Sequence, residues 1–301
     1  NKGVKYEKMF SYDGVVGHGA YGANPATGLL YAAESDSVIV CVGTGTPFEY
    51  ESVDRKTMRL PEVQERAILD IAEINENVTV AVFAGAAIDM SAWIDKVRGV
   101  VFAGFCGENG GVALADILTG RVNPSGKLSE TFPLSAEKVP AVTAHADTRV
   151  TRYSEGLDVG YRYFDRHADG VLFPFGFGLS YSRFEYSDLR VAACADGAEI
   201  EYAIKNVSDT SGKEVSQVYV REVAPPVYRP YKELKAFDKR AVSAGKTQKV
   251  KLSLPLSAFS HWSEAQSAWV ISDGLYEILV CSSSADIKLR TRIRINDGKI
   301  N

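Results

Sequence analysis

Two stretches of the chain are apolar at consecutive positions instead of alternate ones, SVIVCVG at 37–43 and VTVAVF at 78–83. A strand with one wet face alternates, whereas an unbroken apolar run suits a strand covered on both faces, as in a parallel sheet. Between the two lies PEVQERAILDIAEIN at 61–75, whose Val63, Ala67, Ile68, Ile71, Ala72 and Ile74 recur at helical spacing. Pro61 suits a first helical turn. A third strand is predicted over 99–105, and a helix over 111–118 that Gly120 ends. Strand, helix, strand, helix predicts an α/β sandwich, a mostly parallel sheet with flanking helices, over residues 1–136. Ligands of such sheets sit beyond the carboxyl ends of the strands. The stretch that follows the first strand there is PFEYESVDRKTMRLP at 47–61, rich in ionisable and aromatic side chains.

Residues 137–182 have little helical period and many turn residues, ending in FPFGFGLSYS at 173–182. They read as a long surface connection with aromatic anchors, and a loop of that length is functional or docks two domains. From 183 to 301 the pattern changes to period two. Glu199-Ile200-Glu201-Tyr202-Ala203-Ile204, Ser216-Gln217-Val218-Tyr219-Val220 and Gly274-Leu275-Tyr276-Glu277-Ile278 alternate, and turns such as Asp209-Thr210-Ser211-Gly212 separate them. This predicts an antiparallel β-sandwich.

Composition narrows the function classes. A formal charge of −4 offers no basic face for nucleic acid or anionic lipid. No apolar run reaches the roughly 18 residues of a membrane span. The opening residues Asn1-Lys2-Gly3-Val4 are neither a signal peptide nor an initiator methionine, and look like the start of a mature or truncated chain. Cys41, Cys106, Cys194 and Cys281 are far apart, and with only four histidines a zinc site is not expected. Cys41, Cys106 and Cys281 each end a strand-like run and are predicted to be buried free thiols. Sequons at Asn77 and Asn206 do not fix the compartment.

Four stretches carry a resemblance. They are Glu51-Ser52-Val53-Asp54-Arg55 with Leu60-Pro61; GENGGVALADILTGRVNPSGKLSETFP at 107–133; YSEGLDVGYRYFD at 153–165 running into LFPFGFGLSYSRFEYSDL at 172–189; and GKEVSQVYVRE at 212–222 with RPYKELKAFDKRAVSAGKT at 229–247. In this order they resemble the C-terminal half of glycoside hydrolase family 3 enzymes of the β-glucosidase and β-xylosidase type. The resemblance implies an α/β sandwich followed by an all-β fibronectin type III-like sandwich. It implies a retaining exo-acting β-glycosidase, a β-glucosidase first and a β-xylosidase next, which needs no metal or organic cofactor. One carboxylate attacks the anomeric carbon and a second protonates the leaving oxygen, the two about 5–5.5 Å apart. The family's nucleophilic aspartate lies on a (β/α)8 barrel, which this sequence does not contain. The chain is therefore expected to be one part of the enzyme, with the barrel as its partner and a β-glucoside or oligosaccharide as substrate. The strand–helix unit that opens the family's sandwich domain ahead of VKYEKMF is also missing. Alone, the chain is expected to be poorly soluble or inactive, and its oligomeric state is open, a homo-oligomer included.

Glu51 matches the family's general acid/base in a glutamate–glycine–aromatic–aspartate–arginine pattern, with Ser52 in place of the glycine and Val53 in place of the aromatic. A general acid needs a raised pKa, which a loop desolvated against another domain supplies. Arg55 would oppose this, and is expected to fold back on Asp54 and orient the loop. Glu49, two residues away, is the nearest competitor, and Glu155 the second, with a structural role favoured for Glu155. Phe48 and Tyr50 are candidates for stacking on a sugar face. GENGG at 107–111 lacks nucleotide-binding spacing and reads as a strand–helix turn. Trp93 and the aromatics of 173–181 read as packing, and Arg162 as part of an ion pair. The alternative to an enzyme part is a non-catalytic carbohydrate-binding or assembly module.

Overall fold

The computed structural model describes residues 4, 5, 7, 9, 24–45, 48–52, 55–140, 149, 150 and 152–300. The chain forms two compact units. One comprises residues 1–115 and 132–142, the other 116–131 and 143–301.

In the first unit, α1 (Pro25–Ala33) starts where the Asn24 side chain accepts from Thr27 N (3.1 Å), with Pro25 in the first turn. Strands β1 (Val38–Gly43), β2 (Val78–Phe83) and β3 (Gly99–Phe102) form a parallel sheet in that order, with Val40 opposite Val80 and Val80 opposite Val100. Helix α2 (Glu62–Ile74) connects β1 to β2 and buries Ala67, Ile68 and Ile71. Asn75 at its end donates to Ala32 O (2.9 Å) and Ser35 O (2.8 Å), tying it to α1. Central β2 is the fully covered strand, with Val78, Val80, Ala81 and Val82 at 0% exposure. Val42, Ile88, Met90 and Trp93 complete this core, so Trp93 is packing.

Strand β1 departs from expectation. Among the described residues it is an edge strand, and Val40 and Val42 are buried whereas Ile39 and Cys41 are exposed. One of its faces is thus open, and the Cys41 thiol is not in a core. Strand β3 ends at Phe102, earlier than the sequence suggested, because Gly104 takes a left-handed φ of +66°. Cys106 then lies on the surface turn that precedes α3 (Gly110–Leu118) and is exposed rather than buried. Cys281 is the buried thiol of the four, and burial pushes it up to about 12. After α3, Gly120 adopts φ +74° and its N–H bonds to Ile117 O (2.9 Å), closing the helix. A two-residue strand, β4 (Phe132–Pro133), places Phe132 edge-on to Phe102 at 5.0 Å.

The second unit holds helix α4 (Tyr161–Phe164), strand β5 (Val171–Phe173) and a β-sandwich. One sheet of the sandwich is β6 (Phe184–Cys194), β7 (Gly197–Asn206) and β10 (Thr247–Pro255), antiparallel with β7 central. The other joins β8 (Gly212–Glu222), β9 (Glu233–Val242), β13 (Gly274–Cys281), β14 (Ile287–Asn296) and β15 (Lys299–Ile300) in the order β15-β14-β13-β8-β9. A hairpin, β11 (His261–Ser263) and β12 (Ala268–Val270), lies between β10 and β13 in sequence. The inward positions predicted from period two meet in one core, with Ile200, Tyr202, Ile204, Val218, Val220, Tyr276, Ile278 and Val280 all at 2% exposure or less.

Part of the outer face of the five-stranded sheet is covered too. Tyr219, Leu279 and Cys281 pack with Tyr161 of α4, Leu234 and Ile287. The connecting segment is anchored there by charge: Lys232 pairs with Asp165, and Arg162 lies 3.7 Å from Glu233. Asn123 ties a further strand of chain in place. Its Nδ2 donates to Ser182 Oγ (2.9 Å) and Ser211 O (3.1 Å), and its Oδ1 accepts from Ser180 Oγ (2.8 Å) and Tyr181 N (2.9 Å). The sequon residue Asn206 is wholly buried, its Nδ2 committed to Thr210 O and Val242 O, so it is closed to glycosylation in the folded chain.

Candidate active site

The carboxyl end of β1 is fixed before the ionisable loop begins. Gln64, fully buried on α2, bonds both main-chain groups of Gly43: Gly43 N donates to Gln64 Oε1 (2.8 Å) and Gln64 Nε2 donates to Gly43 O (3.0 Å). Thr44 N then donates to Phe83 O (3.0 Å), holding the loop to the end of β2. The returning limb is held by Asp89 N to Met58 O (2.9 Å) and by Arg59, whose guanidinium pairs with the buried Glu65.

Within this frame the two neighbouring glutamates differ. Glu49 turns back into the loop. Its Oε2 accepts from Thr44 Oγ1 and from Gly85 N (3.4 Å). Gly85 is required for this approach, since a Cβ there would lie 2.3 Å from Glu49 Oε1. Glu51 is exposed at the turn, and its carboxylate has no partner among the described residues. Ser52 follows with φ +70°, the left-handed conformation that glycine adopts without penalty. The position where the family pattern has glycine is thus a position where this backbone wants one.

Phe48 is half-buried on the same loop and Tyr50 is 51% exposed. Arg55 Nη2 donates to Ala87 O (3.0 Å), so it ties the loop to the segment after β2, and its Nη1 is buried without a hydrogen bond among the described residues. Asp54, the expected partner of Arg55, lies outside the described residues. The structure therefore gathers Phe48, Glu49, Tyr50, Glu51 and Arg55 on one loop beyond the sheet. Glu155 belongs to the second unit, half-buried in the turn 154–157, where its carbonyl accepts from Asp158 N (3.0 Å). Sequence reasoning missed Thr44, Gln64 and Gly85, the residues that hold the loop. Thr44 and Gly85 were open to discovery, because they lie one and two residues beyond the ends of parallel strands, where sites form.

Comparison with known proteins identifies the family. The family description "Glycosyl hydrolase family 3 C-terminal domain" matches residues 22–181, and "Fibronectin type III-like domain" matches 214–284. The chain belongs to glycosyl hydrolase family 3. Thermostable beta-glucosidase B of Acetivibrio thermocellus is 42% identical over 271 residues, covering 88% of this chain and 36% of that protein. An exo-alpha-(1->6)-L-arabinopyranosidase of Bifidobacterium breve is 36% identical over 276 residues, covering 89% of this chain and 36% of that protein. The crystal structure of the Bifidobacterium adolescentis GH3 beta-glucosidase superposes with a TM-score of 0.90 at 33% identity, over 97% of this chain and 43% of that one. The Kluyveromyces marxianus beta-glucosidase in complex with glucose gives 0.87 at 31% identity, over 91% and 33%. The chain spans about a third of the length of the curated family 3 relatives it matches.

Proposed function

We propose that this family 3 chain is the C-terminal part of a retaining exo-acting β-glycosidase, first of all a β-glucosidase, and that Glu51 is its general acid/base. A (β/α)8 barrel partner supplies the aspartate nucleophile. The aspartate attacks the anomeric carbon while the Glu51 carboxyl gives its proton to the departing glycosidic oxygen. The Glu51 carboxylate then takes a proton from the water that hydrolyses the glycosyl–enzyme, with the two carboxyls about 5–5.5 Å apart. Phe48 and Tyr50 flank the leaving group, and Asp54 and Arg55 orient the loop.

The observation that supports this reading is the division of labour between two glutamates. Glu49 is committed to Thr44 and Gly85, whereas Glu51, at the carboxyl end of a parallel sheet, has no carboxylate partner among the described residues. The sugar is assigned from the names of the relatives, which include an arabinopyranosidase beside the β-glucosidases.

The test pairs Glu51→Ala or Glu49→Ala chains with the barrel partner and an aryl β-glucoside bearing a good leaving group. Loss of turnover in Glu51→Ala, with recovery in azide as β-glucosyl azide, is expected. Full turnover of Glu51→Ala on a poor leaving group would remove Glu51 from the role. The second reading, a non-catalytic module, draws support from the exposure of Glu51 and the non-glycine Ser52. Unchanged activity in Glu51, Glu49 and Glu155 variants alike would favour it.

A further inference from the structure

The hairpin of β11 and β12 is built the wrong way round for a structural element. Its register sets Trp262 directly opposite Trp269, with His261 opposite Val270 and Ser263 opposite Ala268. Alternation along a strand puts the two tryptophans on one face and the other four residues on the other. The tryptophans hold the solvent face, at 51% and 69% exposure, while His261, Ser263, Ala268 and Val270 are half-buried. The Nδ1 of His261 is even buried without a hydrogen-bond partner among the described residues. A hairpin serving only the core would reverse this, turning its largest apolar side chains inward. The two rings meet edge to face, with centroids 5.9 Å apart and planes at 74°, so they form a corner with an open indole face. The corner is set by a closed turn, in which Ser267 N donates to Glu264 O (3.3 Å) and Gln266 N to Ser263 Oγ (3.3 Å).

We propose that this corner is a binding surface for a neutral β-linked gluco-oligosaccharide. In a β-glucopyranosyl ring every substituent is equatorial, so both faces present axial C–H groups that stack on an indole. The exposed Glu264 and Gln266 at the turn offer an acceptor and an amide to ring hydroxyls. Charge selects the occupant. Residues 261–270 contain no lysine or arginine and one carboxylate, which suits an uncharged ligand and disfavours phosphate-bearing polymers and anionic lipid. The proposal extends the glycosidase reading but does not use Glu51, so the two fail separately.

The protein has three tryptophans, and Trp93 is fully buried, so solvent-quenchable indole emission comes from the hairpin pair. The experiment titrates the full chain with cellohexaose, laminarin and dextran and follows iodide quenching together with retardation in gels containing soluble β-glucan. Saturable protection by cellohexaose or laminarin is expected, absent with the α-linked dextran. Trp262→Ala and Trp269→Ala are each expected to weaken binding by roughly tenfold or more. Trp269→Phe, which keeps a ring, is expected to retain most of the affinity, and this guards against a misfolded hairpin. Glu51→Gln should bind as the parent does. No protection by either β-glucan would overturn the proposal. So would protection that rises with protein concentration without glycan, which would assign the face to a second copy of the chain.

Discussion

The ammonium of Lys232 is paired with the carboxylate of Asp165 across 67 residues of sequence, and both side chains are about nineteen-twentieths buried. Lys232 also lies over the rings of Tyr219 and Tyr231, at 5.4 and 5.6 Å from their centroids. Burial pushes the Asp165 carboxyl up to about 6, against the opposing pull of Lys232 and Arg166. The pair fastens the connecting segment to the outer face of the five-stranded sheet.

Removing one partner leaves a buried charge alone. Lys232→Met is expected to cost about 3–5 kcal/mol at neutral pH, and Lys232→Met with Asp165→Leu to recover most of it. Urea unfolding of the chain measures both. The pH dependence has a definite sign. The folded pKa of Asp165 lies above its unfolded value of about 3.9, so its contribution is fully present below about pH 4 and is lost as pH rises through about 6. Subtracting the urea midpoints of Asp165→Asn from those of the parent, between pH 4 and 7, should reveal that fall. A difference that rises with pH would contradict the burial argument.

Ser52 tests the loop that carries Glu51. Its φ of +70° costs a non-glycine residue about 1–2 kcal/mol, which Ser52→Gly removes at the expense of a more flexible unfolded chain. Thermal melts should show Ser52→Gly neutral to slightly stabilised. Ser52→Val, β-branched at positive φ, should lose about 1 kcal/mol or more.

Asn123 uses both ends of its amide on four partners, three of them in residues 180–182. Asn123→Ala is expected to destabilise the chain by about 2 kcal/mol, since each bond is worth roughly 0.5–1.5 kcal/mol net and some partners regain water. Hydrogen exchange at the Tyr181 amide should accelerate in the variant more than exchange in β7 or β13.

Thiol reactivity checks the burial pattern. Cys41, Cys106 and Cys194 are exposed and Cys281 is buried, and burial raises the thiol pKa of Cys281 and, in direction, that of Cys41, which is expected to react more slowly than Cys106 and Cys194. Native chain should react with a disulfide reagent at three thiols, and the fourth should respond only on unfolding.

The residues most open to sequence reading were those whose burial follows a short period. Helix α2, strand β2 and the inward positions of β7 and β13 were legible because 3.6- and 2-residue spacing reports which side meets a core. Helix α1 was not foreseen. Its PATGLLYAA has no clear apolar stripe and includes Gly28, although Asn24 and Pro25 mark a helix start. Cys41 was misjudged because an apolar run does not say whether a strand is central or at an edge. At the candidate site, Glu51 came from a motif, whereas its separation from Glu49 depends on Gly85, 36 residues away in the chain. No spacing within YSEGLDVGYRYFD or RPYKELK names a partner for Asp165, and only folding brings it to Lys232.

Residues 116–131 join the second compact unit although the first unit resumes at 132. No single cut in the polypeptide therefore separates the two. A gene broken anywhere between them would leave one product with a gap and the other with a stray tail. Separating the two as whole pieces would take a cut at each of the three boundaries, after residues 115, 131 and 142.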